Sequence, residues 1–390
     1  MNICYLTWEY PPEVNGGVAV YIREIARAIR RIGHRVFVIT RTGKKTEEKY
    51  EDGIYVIRLA PQKYDFFNFC RNRIPRTVER IEFGIQVAKK LRQLHKEVKI
   101  DLVESPEAYS LGFIYYLFYK FPPYVVKLHT PEGIIFRWNE RENTLDIKLL
   151  TKMEELWMLR AKRLILITQA MKELIKTFYG IDIKKEVLIR NPLVLPPRLE
   201  RIKERKGFFL FVGRLEFRKG PHILIEAIPY IIEEYPDIKF YFVGKECGMK
   251  SYLVGKIKEK KCDRNVIFYD CLPWEEVLKL YPQALGCIIP SLWENFSYVV
   301  VEAMALGCPV IAPDVGGFSE VIENEVTGLL FKTGSFLDLK DKLLYLLKNR
   351  EKIDFIANNA SVRIREITAP ERIANETLNA YVQIIQKRRP

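Results

Sequence analysis

The sequence predicts a two-domain α/β protein with parallel sheets. Short apolar runs with strand character alternate along the chain with helical patterns, which is the mark of βαβ units. Near the middle, Pro196 to Lys206 (PPRLERIKERK) is polar, basic and led by prolines, and reads as a linker. A chain of 390 residues is long enough for two or three domains. The first domain is therefore expected over 1–196 and the second over 207–367.

Composition narrows the class. A hydrophobic content of 48% supports full-sized cores. No apolar run approaches the length of a membrane span, and the opening MNICYLTWEY reads as a strand entering a turn rather than a leader, which predicts a cytoplasmic protein. Seven cysteines lack CxxC spacing, and no paired histidine spacing accompanies them, so a disulfide framework or a metal site is not expected. Cys4, Cys287 and Cys308 fall in apolar runs as small core residues. The net charge of +14 is compatible with nucleic acid, an anionic membrane surface, or simply a basic proteome.

In chain order, Asn2 to Thr7 is a strand, Trp8 to Gly17 a loop, Val18 to Ile32 a helix and Arg35 to Thr40 a strand. The helix shows its period in Val18, Ile22, Ile25 and Ile29. Gly16 and Gly17 stand directly before it, where the lack of a side chain lets a ligand approach the backbone, although a plain turn explains them as well. The dinucleotide fingerprint GxGxxG is missing. Gly53 to Leu59 is another strand.

Then comes the most unusual composition, Lys63 to Phe83. Phe66, Phe67, Phe69 and Phe83 interleave with Arg71, Arg73, Arg76 and Arg80, and a basic helix from about Val78 to Lys96 follows. Three readings stay open for residues 63–99: core aromatics under a solvated basic face, a membrane-surface patch, and nucleic-acid binding. Asp101 to Glu104 is a short strand and Tyr109 to Tyr119 an aromatic-rich helix. The strand Tyr124 to Leu128 delivers His129 at its carboxyl end, where ligands gather in open α/β sheets. A lone histidine there is more often a satisfied polar group than a catalyst. Asp146 to Arg160 and Gln169 to Phe178 are helices, and Arg163 to Thr168 and Glu186 to Ile189 strands.

The second domain opens with a buried strand, Gly207 to Val212, the turn GRLEFRKG and a helix from Pro221 to Tyr235. Arg214 and Lys219 project near a strand end and a helix start. They are either two solvated cations or a diphosphate site, Arg forking two oxygens and Lys acting as a point charge. Lys239 to Val243 and Val266 to Tyr269 are strands. Ala284 to Ala312 reads as strand, polar turn, helix (Tyr298 to Leu306), Gly307 stop and strand. Asn295 or Ser297 can cap that helix, whose free N–H groups favour an anion. Glu294 and Glu302 bracket its start, either as solvated carboxylates or as acceptors for the hydroxyls of a nucleotide sugar. Asp338 to Asn349 and Pro370 to Gln386 are helices.

Glu294 and Glu302 are separated by seven residues, with Phe296 two after the first. This resembles the E-x7-E signature of retaining glycosyltransferases, especially family 4 with the GT-B fold, which usually has Gly where this chain has Ser297. G-R-x4-K-G, the early Gly16–Gly17 pair and His129-Thr130-Pro131 are similar to further family motifs, and Arg190-Asn191-Pro192 is a partial match. Asp270 stands where the family commonly has Gly, which leaves the base open. The resemblance covers essentially the whole chain, densely in the second domain and thinly between 44 and 123.

The resemblance implies two Rossmann-like domains facing across a cleft, with the last helix, about 370–390, crossing back to complete the first. It implies transfer of a sugar from a UDP- or GDP-linked donor to an acceptor hydroxyl, with retention of configuration. Arg214, Lys219 and the helix start near Asn295, Phe296 and Ser297 would hold the diphosphate, Glu302 the ribose and Glu294 the donor sugar, while Gly16, Gly17 and His129 would close the site. No metal and no cofactor beyond the donor is implied, and Asp-x-Asp is absent. The acceptor is a glycan, a lipid or a small molecule; peripheral contact at the inner membrane face through residues 63–99 stays open. Nucleic acid is disfavoured, because one diphosphate explains Arg214 and Lys219 better. The rivals are a nucleotide-sugar epimerase or phosphorylase on the same architecture and a non-catalytic hinged binding protein.

Overall fold

The computed structural model describes residues 1–13, 16–138, 144–184, 186–195 and 205–386. They form two compact units, Met1–Val194 with Thr368–Pro390, and Leu195–Ile367. Residues 196–204 of the expected linker lie outside the described residues. Where the chain resumes, Arg205 is tied into the second unit, donating to the carbonyls of Pro282, Ala284 and Gly307.

The first unit is built on an eight-stranded sheet. Its strands are β1 (Asn2–Leu6), β2 (Arg35–Arg41), β3 (Glu47–Glu51), β4 (Ile54–Leu59), β5 (Leu102–Pro106), β6 (Tyr124–Leu128), β7 (Leu164–Leu166) and β8 (Glu186–Leu188). The order is β3-β4-β2-β1-β5-β6-β7-β8, parallel except for the β3–β4 pair. Apolar strand residues such as Ile3, Tyr5, Val36 and Val38 are buried against Ile22, Ile25 and Ile29 of the helix Gly17–Arg31. The same core takes Ile373, Leu378, Tyr381 and Ile384 from the terminal helix Pro370–Gln386, so the last segment of the chain belongs to this unit.

Three stretches depart from what a simple pattern would suggest, one of them an expected single helix that is not made. The strand β3 is almost wholly charged (EEKYE) and has no apolar alternation, because it is an edge strand that presents charge to water. The stretch Tyr109 to Tyr119 is not one helix. Tyr109 and Ser110 take positive φ angles of 65° and 46°, and the helix proper is only Phe113–Phe118. The Phe/Arg stretch divides in two. Phe83 and Arg80 are buried and Arg71 pairs with Glu82 at 2.8 Å, whereas Phe66 and Phe69 are exposed.

The second unit holds a six-stranded parallel sheet of β9 (Phe208–Val212), β10 (Lys239–Val243), β11 (Val266–Tyr269), β12 (Gly286–Ile288), β13 (Val310–Pro313) and β14 (Leu329–Phe331). The order is β11-β10-β9-β12-β13-β14. β9 therefore sends its next strand to one side and pairs with β12 on the other. That reversal is a topological switch point, where the loops leaving two neighbouring strands diverge and open a crevice for ligand. The loops concerned, after β9 and after β12, are the two that carry Arg214, Lys219 and Glu294. No helix among the described residues is long and apolar enough to cross a membrane.

Candidate active site

The loop after β9 ends in a short 3-10 turn, Phe217–Lys219, followed by Gly220. Gly220 has φ +67°, and a Cβ there would sit 1.9 Å from the carbonyl oxygen of Pro290, two residues past the end of β12. Only glycine allows this approach, and it brings the cations of one loop onto the carboxylate of the other. Lys219 donates to Glu294 Oε1, which also accepts from Arg218 Nη1 at 3.3 Å and Ser291 Oγ at 3.2 Å. Arg218 is buried and donates onward to the Trp293 carbonyl at 3.1 Å and to Glu216 Oε1 at 3.1 Å. Arg214, half-exposed, closes the chain on Glu216 at 3.0 Å.

A second glycine fixes the other side. Gly316 has φ +61°, and a Cβ there would lie 2.3 Å from the carbonyl oxygen of Glu294. The next residue, Gly317, donates its N–H to that oxygen at 2.9 Å. The backbone of Glu294 is thus clamped while its side chain is held by three donors.

The electrostatics follow from the charges present. Burial pushes the Glu294 carboxyl up, but Lys219 and Arg218 outweigh it and hold the group down to about 2. Burial lowers Lys219, with Arg218 and Arg214 adding to the effect and Glu294 opposing it. Three cations (Arg214, Arg218, Lys219) face two carboxylates (Glu216, Glu294), leaving one net positive charge to meet an anion. All three donors to Glu294 reach Oε1, so among the described residues Oε2 is left for other hydroxyls.

The helix Tyr298–Ala305 begins three residues after Asn295. Ser297 occupies its N-cap position, and its side chain makes no capping hydrogen bond, so the expected cap by Ser297 is not made. A helix start of this kind turns backbone N–H groups towards the loop that carries Glu294 to Ser297. Glu294, Asn295, Phe296 and Ser297 wall a small cavity against Gly317 and Phe318. One turn into the helix, Glu302 accepts from Trp274 Nε1 at 2.9 Å and from the Tyr281 hydroxyl at 3.3 Å. Burial raises its carboxyl, and the two hydrogen bonds pull the other way.

In the first unit, His129 follows β6 and is buried. Its backbone N–H is held by both oxygens of Glu107, at 3.0 and 2.9 Å, and its ring lies 5.0 Å from that of Tyr21. Burial, reinforced by Lys127, lowers the imidazole to about 3, so it is neutral at physiological pH and fit for hydrogen bonding rather than for carrying charge. Gly16 precedes the helix Gly17–Arg31 in an extended conformation, and a Cβ there would meet nothing within 4 Å. Neither strain nor packing inside the unit demands glycine at that position.

Residues 197–363 match the family model for glycosyl transferases group 1, and residues 15–195 match that for Glycosyltransferase Family 4. The chain belongs to glycosyltransferase family 4, with the GT-B fold. It is 29% identical to an uncharacterised glycosyltransferase of Methanocaldococcus jannaschii over 98% of both chains. Among solved structures it resembles sucrose-phosphate synthase from Thermosynechococcus elongatus, with TM-score 0.79 and 19% identity over 99% of both chains. It also resembles Anabaena HepE in complex with UDP and glucose, with TM-score 0.71 and 20% identity, covering 97% of this chain and 100% of the other. At such identities the structural likeness speaks for the fold.

In this glycosyltransferase, then, Arg214, Lys219 and Glu294 meet in one network, while Glu302 is anchored separately on its own helix. His129, Gly16 and Gly17 lie in the other unit. Sequence reasoning missed Arg218, Glu216, Ser291 and the clamp at Gly316. The GRLEFRKG turn has no periodicity to say which residues point inward. Phe217, the apolar choice, is 44% exposed and stacks on His222, while the cationic Arg218 is inside.

Proposed function

We propose that this enzyme transfers a sugar from a nucleoside diphosphate sugar, UDP- or GDP-linked, to an acceptor hydroxyl with retention of configuration and without a metal. One observation carries the reading: a positively charged network at the β9/β12 switch point that ends on a carboxylate whose second oxygen takes no donor among the described residues. Arg214, Lys219 and the start of the helix Tyr298–Ala305 would take the diphosphate and offset the charge on the leaving group. Glu294 Oε2 would accept from hydroxyls of the donor sugar, and Glu302 from the ribose, since each carboxylate oxygen has lone pairs to spare. Gly16, Gly17 and the neutral His129 of the first unit are proposed to take part in donor binding as well. No protein nucleophile is nominated; the leaving phosphate would take the acceptor proton on a front-side route. The nucleotide sugar in this scheme agrees with the UDP and glucose found with the Anabaena relative.

The test is a thermal-shift screen of nucleoside diphosphates and their sugars with chelator present. One nucleotide class should stabilise the wild type, by about 2.7 kcal/mol at a hundredfold excess over Kd, and Arg214→Ala and Glu302→Ala should lose the effect. No stabilisation by any nucleotide defeats the proposal.

The acceptor side of the reading is a glycan or a lipid at a membrane surface. Phe66 and Phe69 are 61% and 82% exposed, and Arg73 and Arg76 beside them are also exposed, which favours peripheral contact with an anionic bilayer. Cosedimentation with anionic but not zwitterionic vesicles is expected, reduced in Phe66→Ser/Phe69→Ser; equal recovery with both vesicle types argues against it.

A further inference from the structure

Glu302 is held by a residue that the proposed scheme leaves without a task. Trp274 opens the helix Trp274–Leu280, a few residues beyond the carboxyl end of β11. Its indole N–H is committed to Glu302 Oε1 at 2.9 Å, yet the residue is 48% exposed. Tyr281 makes the contrast. It donates to the other oxygen of the same carboxylate from a fully buried position. One donor is a structural post inside the core. The other is a large, flat ring fixed by its edge with much of its surface in water.

A hydrogen bond at the indole edge settles the ring's orientation before any ligand arrives. Trp has only two side-chain torsions, so a tethered indole is a rigid contact surface that costs little entropy to use. Its neighbours keep it accessible, since Pro273, Glu275 and Glu276 are all exposed. The carboxylate it touches is the one the proposed scheme gives to the ribose. A nucleobase is bonded directly to that ribose, so it must lie within a few ångströms of whatever holds the sugar hydroxyls. Among the described residues, Trp274 is the exposed aromatic in contact with Glu302.

We propose that Trp274 is the nucleobase platform of the donor site, stacking on the base while its N–H keeps Glu302 aimed at the ribose. The ligand class is the base of a nucleoside diphosphate. Every base has a π face, so this platform supplies affinity without choosing between pyrimidine and purine. The inference rests on the donor reading above and adds a residue to it.

The test compares UDP, GDP and inorganic pyrophosphate binding by calorimetric titration in the full chain, for wild type, Trp274→Ala and Trp274→Phe. Pyrophosphate reports on the cationic network alone. Trp274→Ala is expected to weaken the nucleoside diphosphate that binds by roughly 10- to 100-fold, the range seen when a stacking ring is lost, and to leave pyrophosphate unchanged. Trp274→Phe keeps a ring and removes the N–H, and should recover most of that loss. A wild-type fold in the variants is checked by an unchanged thermal midpoint without ligand. If Trp274→Ala binds the nucleotide as wild type does, the platform is refuted. It is also refuted if Trp274→Phe is as impaired as Trp274→Ala, because the N–H would then be all that matters. If the wild type binds pyrophosphate but no nucleoside diphosphate, the donor reading itself fails, an outcome distinct from either of these.

Discussion

At the scale of single residues, Glu294 is where charge, burial and chemistry meet. Its carboxylate is lowered to about 2 because Lys219 and Arg218 together outweigh the cost of burying it. The folded state therefore binds fewer protons than the unfolded state between about 2 and the ordinary 4.5, so stability rises with pH across that window. The stabilisation is complete above pH 4.5 and is lost as pH falls towards 2. Glu294→Gln keeps the shape and removes the charge. Its acid-unfolding curve should lose this slope, and chemical denaturation at a series of pH values will show it. The same change raises the net charge of the network, so nucleoside diphosphate binding should hold or tighten while sugar transfer falls by about 10²–10³-fold. A variant that transfers at the wild-type rate would remove Glu294 from the chemistry. The spacing of Glu294 and Glu302 was readable in the sequence because one motif holds both. Arg218 was not readable, since its inward direction is set by a 3-10 turn with no apolar period to reveal it.

At the scale of elements, two glycines bring the site loops together, and their costs can be separated. A non-glycine residue at positive φ is strained wherever it sits. At Gly316 the added Cβ would also meet the Glu294 carbonyl at 2.3 Å, whereas at Gly334, with φ +76°, it would meet nothing within 4 Å. Gly334→Ala should therefore cost only the conformational strain, about 1–2 kcal/mol. Gly316→Ala must in addition move the Glu294 backbone, and should lower both stability and transfer beyond that. Urea unfolding of the two variants, with activity measured alongside, makes the comparison; equal losses would mean that the loop yields freely. The clamp at Gly316 was not legible in the sequence, because a close approach between two separate loops leaves no local trace. The long periodic helices and apolar parallel strands were legible for the opposite reason: each carries its own burial pattern. The edge strand β3 and the broken segment at Tyr109 had none to show.

At the scale of the whole molecule, the chain leaves its first unit, builds the second, and returns. The return is anchored by chemistry as well as by apolar contact. Tyr381 on the terminal helix donates to the fully buried Glu104 of β5 at 2.5 Å, and Tyr21 donates to the other oxygen at 2.5 Å. Burial raises the Glu104 carboxyl, with Lys127 and both tyrosines opposing that rise, so the group depends on its donors. Tyr381→Phe removes one donor and leaves Glu104 Oε2 without it, at an expected cost of about 1–3 kcal/mol. That cost falls on the unit comprising Met1–Val194 and Thr368–Pro390, since both partners lie in it. Calorimetry should show the first unit's transition moved to lower temperature, while the transition that responds to nucleotide stays in place. If both features shift together, the two units unfold as one cooperative body, and the returning helix then secures the second unit as firmly as the first.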